Sequence, residues 1–168
     1  MEDQTTGHPS LEIANLIGVP MNKHLNIIIA EDDPFHKKVM LLMLKKLGIK
    51  AETSSNGLEV LHILEKQFCD IVLMDIQMPK MNGIETTKII RMMWPHGPKI
   101  VIITDCDSNT YREICFDAGA NDFLAKPLTI DGLEAAIRRN SPRDFGRNIN
   151  ETIFNCQDSC IGSSSEII

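Results

Sequence analysis

The chain has 168 residues, enough for one ordinary domain with its own core and little more. Hydrophobic residues make up 43% and charged residues 24%, a globular balance that excludes wholesale disorder. The formal net charge of -6 argues against direct nucleic-acid binding by the bulk surface, and no apolar run approaches the ~20 residues of a membrane span.

Residues 1–24 read as an N-terminal extension, polar except for an apolar patch at 11–19. The opening MEDQTTGHPSLE lacks the basic start and long apolar stretch of a secretory leader. From residue 25 onward, short β-branched runs alternate with helical patterns. Residues 26–30 form the first run. Asp33 then suits a helix N-cap and Pro34 the first helical position. Phe35, Val39, Leu42, Met43 and Leu47 recur at steps of three and four before Gly48 stops the helix. The second run is 50–53, and Leu58, Leu61 and Leu64 follow Asn56-Gly57. The third run is 71–74. After it, Ile84, Thr87 and Ile90 follow Asn82, with Glu85 placed to complete a capping box. The fourth run is 100–103, and Tyr111, Ile114, Cys115 and Ala118 lead into Gly119. The fifth is 122–125, followed by Ile130, Leu133 and Ile137. Residues 140–168 lose periodicity and read as a C-terminal tail without an output domain.

Five strand–helix repeats between 25 and 139 predict an α/β domain. Its five-stranded parallel sheet is doubly wound, with helices on both faces. Five cysteines form no even framework, and Cys69 and Cys115 fall inside apolar patterns. Buried thiols in a reducing cytoplasm fit this usage.

Ligands of such sheets sit at the carboxyl ends of the strands. Glu31, Asp32 and Asp33 follow the first strand, and Asp75 follows the third. Thr104 and Asp105 follow the fourth, and Lys126-Pro127 the fifth. Clustered carboxylates repel one another unless a proton or a cation neutralises them. Carboxylate oxygens suit a hard cation, Mg²⁺ above all. One carboxylate could then attack phosphorus, with the Lys126 ammonium and the Thr104 hydroxyl facing the transferring group. Each feature alone has a plainer reading: an N-cap at Asp33, a turn after Asp75, a lysine before a helix. Their order at successive strand ends favours the joint reading.

The segments at 27–33, at 73–83 (LMDIQMPKMNG), at 103–104 and at 123–127 resemble the receiver domain of two-component response regulators. The MDIQMPxMxG form is similar to receivers of hybrid histidine kinases and their stand-alone relatives. The resemblance covers about residues 25–139. It implies a flavodoxin-like fold with strand order 2-1-3-4-5, and phosphorylation of Asp75 by a sensor histidine kinase. It also implies a Mg²⁺ site formed by Glu31, Asp32, Asp75 and the backbone carbonyl of Gln77. Thr104 would be the switch hydroxyl, Lys126 the phosphoryl partner beside a cis proline, and Phe123 the switch aromatic. Two positions depart from, or modulate, this pattern. Asp105 stands where the family carries a small residue, and Cys106 follows it where side chains tune dephosphorylation.

A receiver of this kind is a signalling protein, with at most slow self-phosphorylation and self-dephosphorylation. It would be read by a downstream protein or phosphotransfer partner, as a monomer or weak homodimer. Rival readings fit less well. A haloacid-dehalogenase-type phosphatase needs Asp, not Glu31, in the nucleophile slot. A flavin-phosphate site needs a Ser/Thr/Gly-rich loop where the acidic run stands. A receiver that binds partners without phosphorylation is kept open by Asp105 alone.

Overall fold

Four residues in a row, Ile27 to Ala30, are buried on both faces, which places their strand in the middle of a sheet. The computed structural model describes residues 25–105 and 109–141. In it β1 (Ile27–Ala30) lies between β2 (Ala51–Ser54) and β3 (Ile71–Asp75). β4 (Lys99–Thr104) and β5 (Asp122–Ala125) extend the sheet, all strands are parallel, and the order is β2-β1-β3-β4-β5. The fold expected from the repeats and the family resemblance is therefore present.

The connecting helices are α1 (Pro34–Lys46), α2 (Gly57–Lys66), α3 (Gly83–Met93), α4 (Asn109–Asp117) and α5 (Ile130–Asn140). Side chains alternate across each strand, so the sheet builds two cores. Ile27, Ile29, Leu73, Val101 and Ile103 meet α1 and α5 through Met40, Leu44, Leu133 and Ile137. Ile28, Val72, Met74, Ile100 and Ile102 meet Val60 of α2, Ile90 of α3 and Cys115 of α4. Both cysteines expected to be buried, Cys69 and Cys115, are buried. No helix among the described residues is long and apolar enough to cross a membrane.

Local signals set the helix starts. Asp33 caps α1 by accepting from the His36 N–H at 2.8 Å, with Pro34 in the first turn. Asn82 and Glu85 complete a reciprocal capping box on α3. Gly48 and Gly119 end their helices at positive φ. Three helix faces depart from expectation: Leu58 of α2 and Tyr111 and Ile114 of α4 are exposed, and α1 differs as well. In α1, Phe35 and Leu42 are exposed, while Met40 and Leu44 are buried. Residues 39–44 are all apolar, so spacing alone does not single out the stripe that meets the sheet.

Candidate functional site

The strand register gathers the site. Ala30 pairs with Met74, so the next residues, Glu31 and Asp75, come side by side at the carboxyl edge. Asp75 pairs with Ile103, which puts Thr104 one step beyond it on β4. Thr104 pairs with Ala125, and Lys126 follows. The Lys126 N–H donates to the Thr104 carbonyl at 2.9 Å, and the Lys126-Pro127 peptide is cis.

The Lys126 ammonium then turns back over the sheet edge. Its Nζ donates to Glu31 Oε2 at 2.9 Å and to Asp75 Oδ1 at 3.1 Å, and all three side chains are buried or nearly so. Asp75 Oδ2 accepts from the Gln77 N–H at 2.9 Å, and Glu31 Oε1 from the Asp33 N–H at 3.2 Å. These bonds orient both carboxylates. Asp32 is exposed at the rim, within the same cluster: one oxygen each from Glu31, Asp32 and Asp75 lies within 4.8 Å of the others.

The electrostatics follow from this crowding. Burial pushes the Asp75 carboxyl above its ordinary value, and the Glu31 charge adds to that. The Lys126 ammonium opposes both without cancelling them. Burial alone would lower the Lys126 pKa, but the hydrogen bond to Glu31 and the charge of Asp75 outweigh it, so the ammonium is held more firmly than usual. Asp33 is lowered, chiefly by the His36 backbone bond that makes it a cap.

Three carboxylates face one ammonium, which leaves two negative charges in excess. The donors are all oxygens, one carboxylate is open to solvent, and the group is compact enough for one ion. That donor chemistry fits a hard divalent cation such as Mg²⁺, held by few protein carboxylates and completed by water.

The remaining expected residues are placed as follows. Thr104 is buried at the end of β4. Phe123 is buried in β5, with the Arg112 guanidinium carbon 4.6 Å from its ring centroid. That cation–π contact ties α4 to β5, and nothing in the sequence reading singles out Arg112. Asp105 is exposed and stands outside the three-carboxylate cluster. Cys106 lies outside the described residues.

Gly83, the last residue of the LMDIQMPKMNG segment, carries a packing role that the sequence reading did not assign to it. A Cβ there would collide with the backbone carbonyl of Asp75 and crowd Met74. Its N–H donates to the Ile76 carbonyl at 2.9 Å, pinning the start of α3 under the loop that follows Asp75. Lys80, in that loop, holds a φ of 65°, the left-handed region that non-glycine residues seldom adopt. The MDIQMPxMxG form ends on this glycine, but the motif does not say which atom it must approach. Beside the site, Phe35, Val39, Met40 and Leu128 line an apolar hollow that reaches Lys126.

Residues 27–138 match the response regulator receiver domain family. Hybrid signal transduction histidine kinase K of Dictyostelium discoideum is 38% identical over 121 residues, covering 67% of this chain and 10% of that protein. The sensor histidine kinase RcsC of Escherichia coli is 28% identical over 136 residues, covering 81% of this chain and 14% of that protein. The chain thus spans between about a tenth and a seventh of the length of these relatives. Among solved structures, the receiver domain of a sensor histidine kinase from Pseudomonas aeruginosa PAO1, with a magnesium ion in its active-site cleft, superposes with a TM-score of 0.65 at 31% identity, covering 69% of this chain and 96% of that one. A Saccharomyces cerevisiae receiver domain crystallised with a histidine phosphotransfer protein shares the fold with a TM-score of 0.68 at 24% identity, covering 74% of this chain and 94% of that one.

Proposed function

Since the chain belongs to the response regulator receiver domain family of two-component phosphorelays, we propose that it accepts a phosphoryl group on Asp75 from a sensor histidine kinase or a phosphotransfer protein. The observation that carries this reading is Lys126 Nζ bridging Glu31 and Asp75 beside a solvent-open Asp32. It supports an acceptor carboxylate that is buried, oriented and faced by a fixed cation.

In the proposed step an oxygen of Asp75 attacks phosphorus in line. The P–N bond to the donor histidine breaks, its electron pair stays on the imidazole, and an aspartyl phosphate forms. Lys126 leaves Asp75 Oδ1 for a phosphoryl oxygen while keeping Glu31. Thr104 donates its hydroxyl to another phosphoryl oxygen, and Phe123 adjusts on β5 behind it. Glu31, Asp32, Asp75 and the Gln77 carbonyl would hold Mg²⁺, which when bound supplies charge neutralisation for the transferring group. Asp105 and Cys106, next in the chain after Thr104, are proposed to modulate the lifetime of the acyl phosphate.

Residues 25–139 would form the receiver, flanked by 1–24 and 140–168, in a cytoplasmic protein that signals by partner binding or onward transfer. A phosphodonor must approach the carboxyl edge. Phe35, exposed at 71% beside that edge, supports protein docking over α1. Mixing the chain with a phosphohistidine-bearing donor tests the reading. Label should move to the wild type and not to Asp75→Asn, whereas equal labelling of both would refute Asp75 as acceptor.

A further inference from the structure

At the amino-terminal end of the sheet, two grooves meet at Phe68. One, of about 200 Å³, has Asn26 on its wall, and the other, of about 370 Å³, runs past Leu64, Trp94 and Pro98. They share Gln67, Phe68 and Cys69. Phe68 is exposed at 75% beside the partly buried Leu64 and Trp94 and the buried Cys69, whereas the first groove carries the polar side chains of Asn26, Lys50, Glu52 and Gln67. Phe68 with Leu64, Trp94 and Pro98 gives the second groove a contiguous apolar stretch that a docked segment would cover.

We propose that residues 11–19 of this same chain dock in these grooves, against Phe68 and Trp94. This is independent of the chemistry proposed at the opposite, carboxyl edge.

The chain enters the domain at the rim of the groove. Leu25 is buried, and the Asn26 N–H donates to Asp70 Oδ2 at 2.9 Å. The Asn26 carbonyl accepts from Asp70 N at 2.9 Å and from Ile71 N at 3.3 Å, so the entry point is fixed.

The reach suffices. Residues 20–24 separate the segment from Leu25 and span up to about 17 Å when extended. From β1 to β4 is two strand spacings, about 10 Å. The Lys99 N–H donates to the Asp70 carbonyl at 2.8 Å, so the Pro98 end of the groove lies within that span.

The composition matches the apolar stretch of the second groove. Ile13, Leu16 and Ile17 recur at helical spacing, and Glu12 is the sole charge in the segment. Nine residues are too few to hold a helix alone, so an apolar face of this size needs a surface to form against. The segment after Ser141 departs instead from α5, whose Arg139 and Asn140 bond to Asp122 at the far edge strand, β5.

Trp94 is the single tryptophan of the chain and lines the groove, so its emission reports on the occupant. The full-length protein with Leu16→Asp and Ile17→Asp should show red-shifted emission and stronger acrylamide quenching than wild type. In hydrogen exchange, amides 12–19 should be protected in wild type and lose that protection in Phe68→Ser, which alters an exposed side chain. Should the double variant fail to fold, the exchange comparison decides alone. Unchanged emission in a folded double variant, or absent protection in wild type, would overturn the proposal. So would quenching that depends on protein concentration, which would place a second copy in the groove. An equal red shift from Ile153→Asp would assign the groove to the C-terminal segment and overturn it likewise.

Discussion

Gly83 lies so close against Asp75 that no Cβ fits between its backbone and the Asp75 carbonyl. The N-terminus of α3 is thereby seated directly beneath the proposed acceptor. Replacing Gly83 with Ala must move one of the two, and overpacking of this kind costs about 1–3 kcal/mol. Gly83→Ala is expected to lower the thermal midpoint and also to slow phosphorylation. A variant with wild-type stability and rate would show that the contact does not position Asp75. Chemical denaturation and a phosphorylation time course read the two effects separately.

The raised pKa of Asp75 sets a pH dependence. A carboxyl whose folded pKa stands above its ordinary 3.8 contributes stability that is fully present below that value. The contribution is lost as pH rises through the raised folded pKa. An amide in place of this carboxyl never ionises, so Asp75→Asn should be more stable than wild type at pH 7 in EDTA. The two should converge near the acid end. Adding Mg²⁺ should raise the wild-type midpoint and leave the variant nearly unmoved. Thermal melts across pH, with and without Mg²⁺, check each arm.

How far the sequence discloses this protein varies by level. Strand ends could be read because turn residues and β-branched runs bound them; the five repeats carried the parallel, doubly wound architecture, and the family resemblance carried the strand order. The caps at Asp33 and Asn82 follow from side-chain chemistry local to each helix start. The acidic cluster was legible because parallel register makes strand ends neighbours. What spacing could not give was set by tertiary contact. The α1 face is ambiguous within six consecutive apolar residues, and Gly83 and Arg112 matter only through distant partners.

The α1 face can be checked by a pair of truncations two residues apart. Leu44→Ala removes a side chain fully buried against the sheet and should cost about 2–5 kcal/mol. Leu42→Ala removes an exposed one and should stay within about 0.5 kcal/mol. Urea denaturation distinguishes them, and equal losses would contradict the observed face.

Cys69 should be chemically silent in the folded protein. Burial pushes its thiol up to about 12, against an ordinary 9.0. At pH 8 the thiolate is then roughly one part in ten thousand. Iodoacetamide should leave Cys69 unmodified natively and alkylate it in guanidinium, as read by peptide mapping. The same shift means that stability is lost as pH rises from about 9 toward 12.

The central claim is that Asp75, held by Lys126 amid carboxylates that accept Mg²⁺, takes a phosphoryl group. Intact-protein mass spectrometry after incubation with acetyl phosphate tests it most directly, on wild type and Asp75→Asn, in Mg²⁺ and in EDTA. The account predicts a gain of one phosphoryl mass in wild type with Mg²⁺ and none in the other three samples. No gain in any sample, or an equal gain in Asp75→Asn, would contradict it.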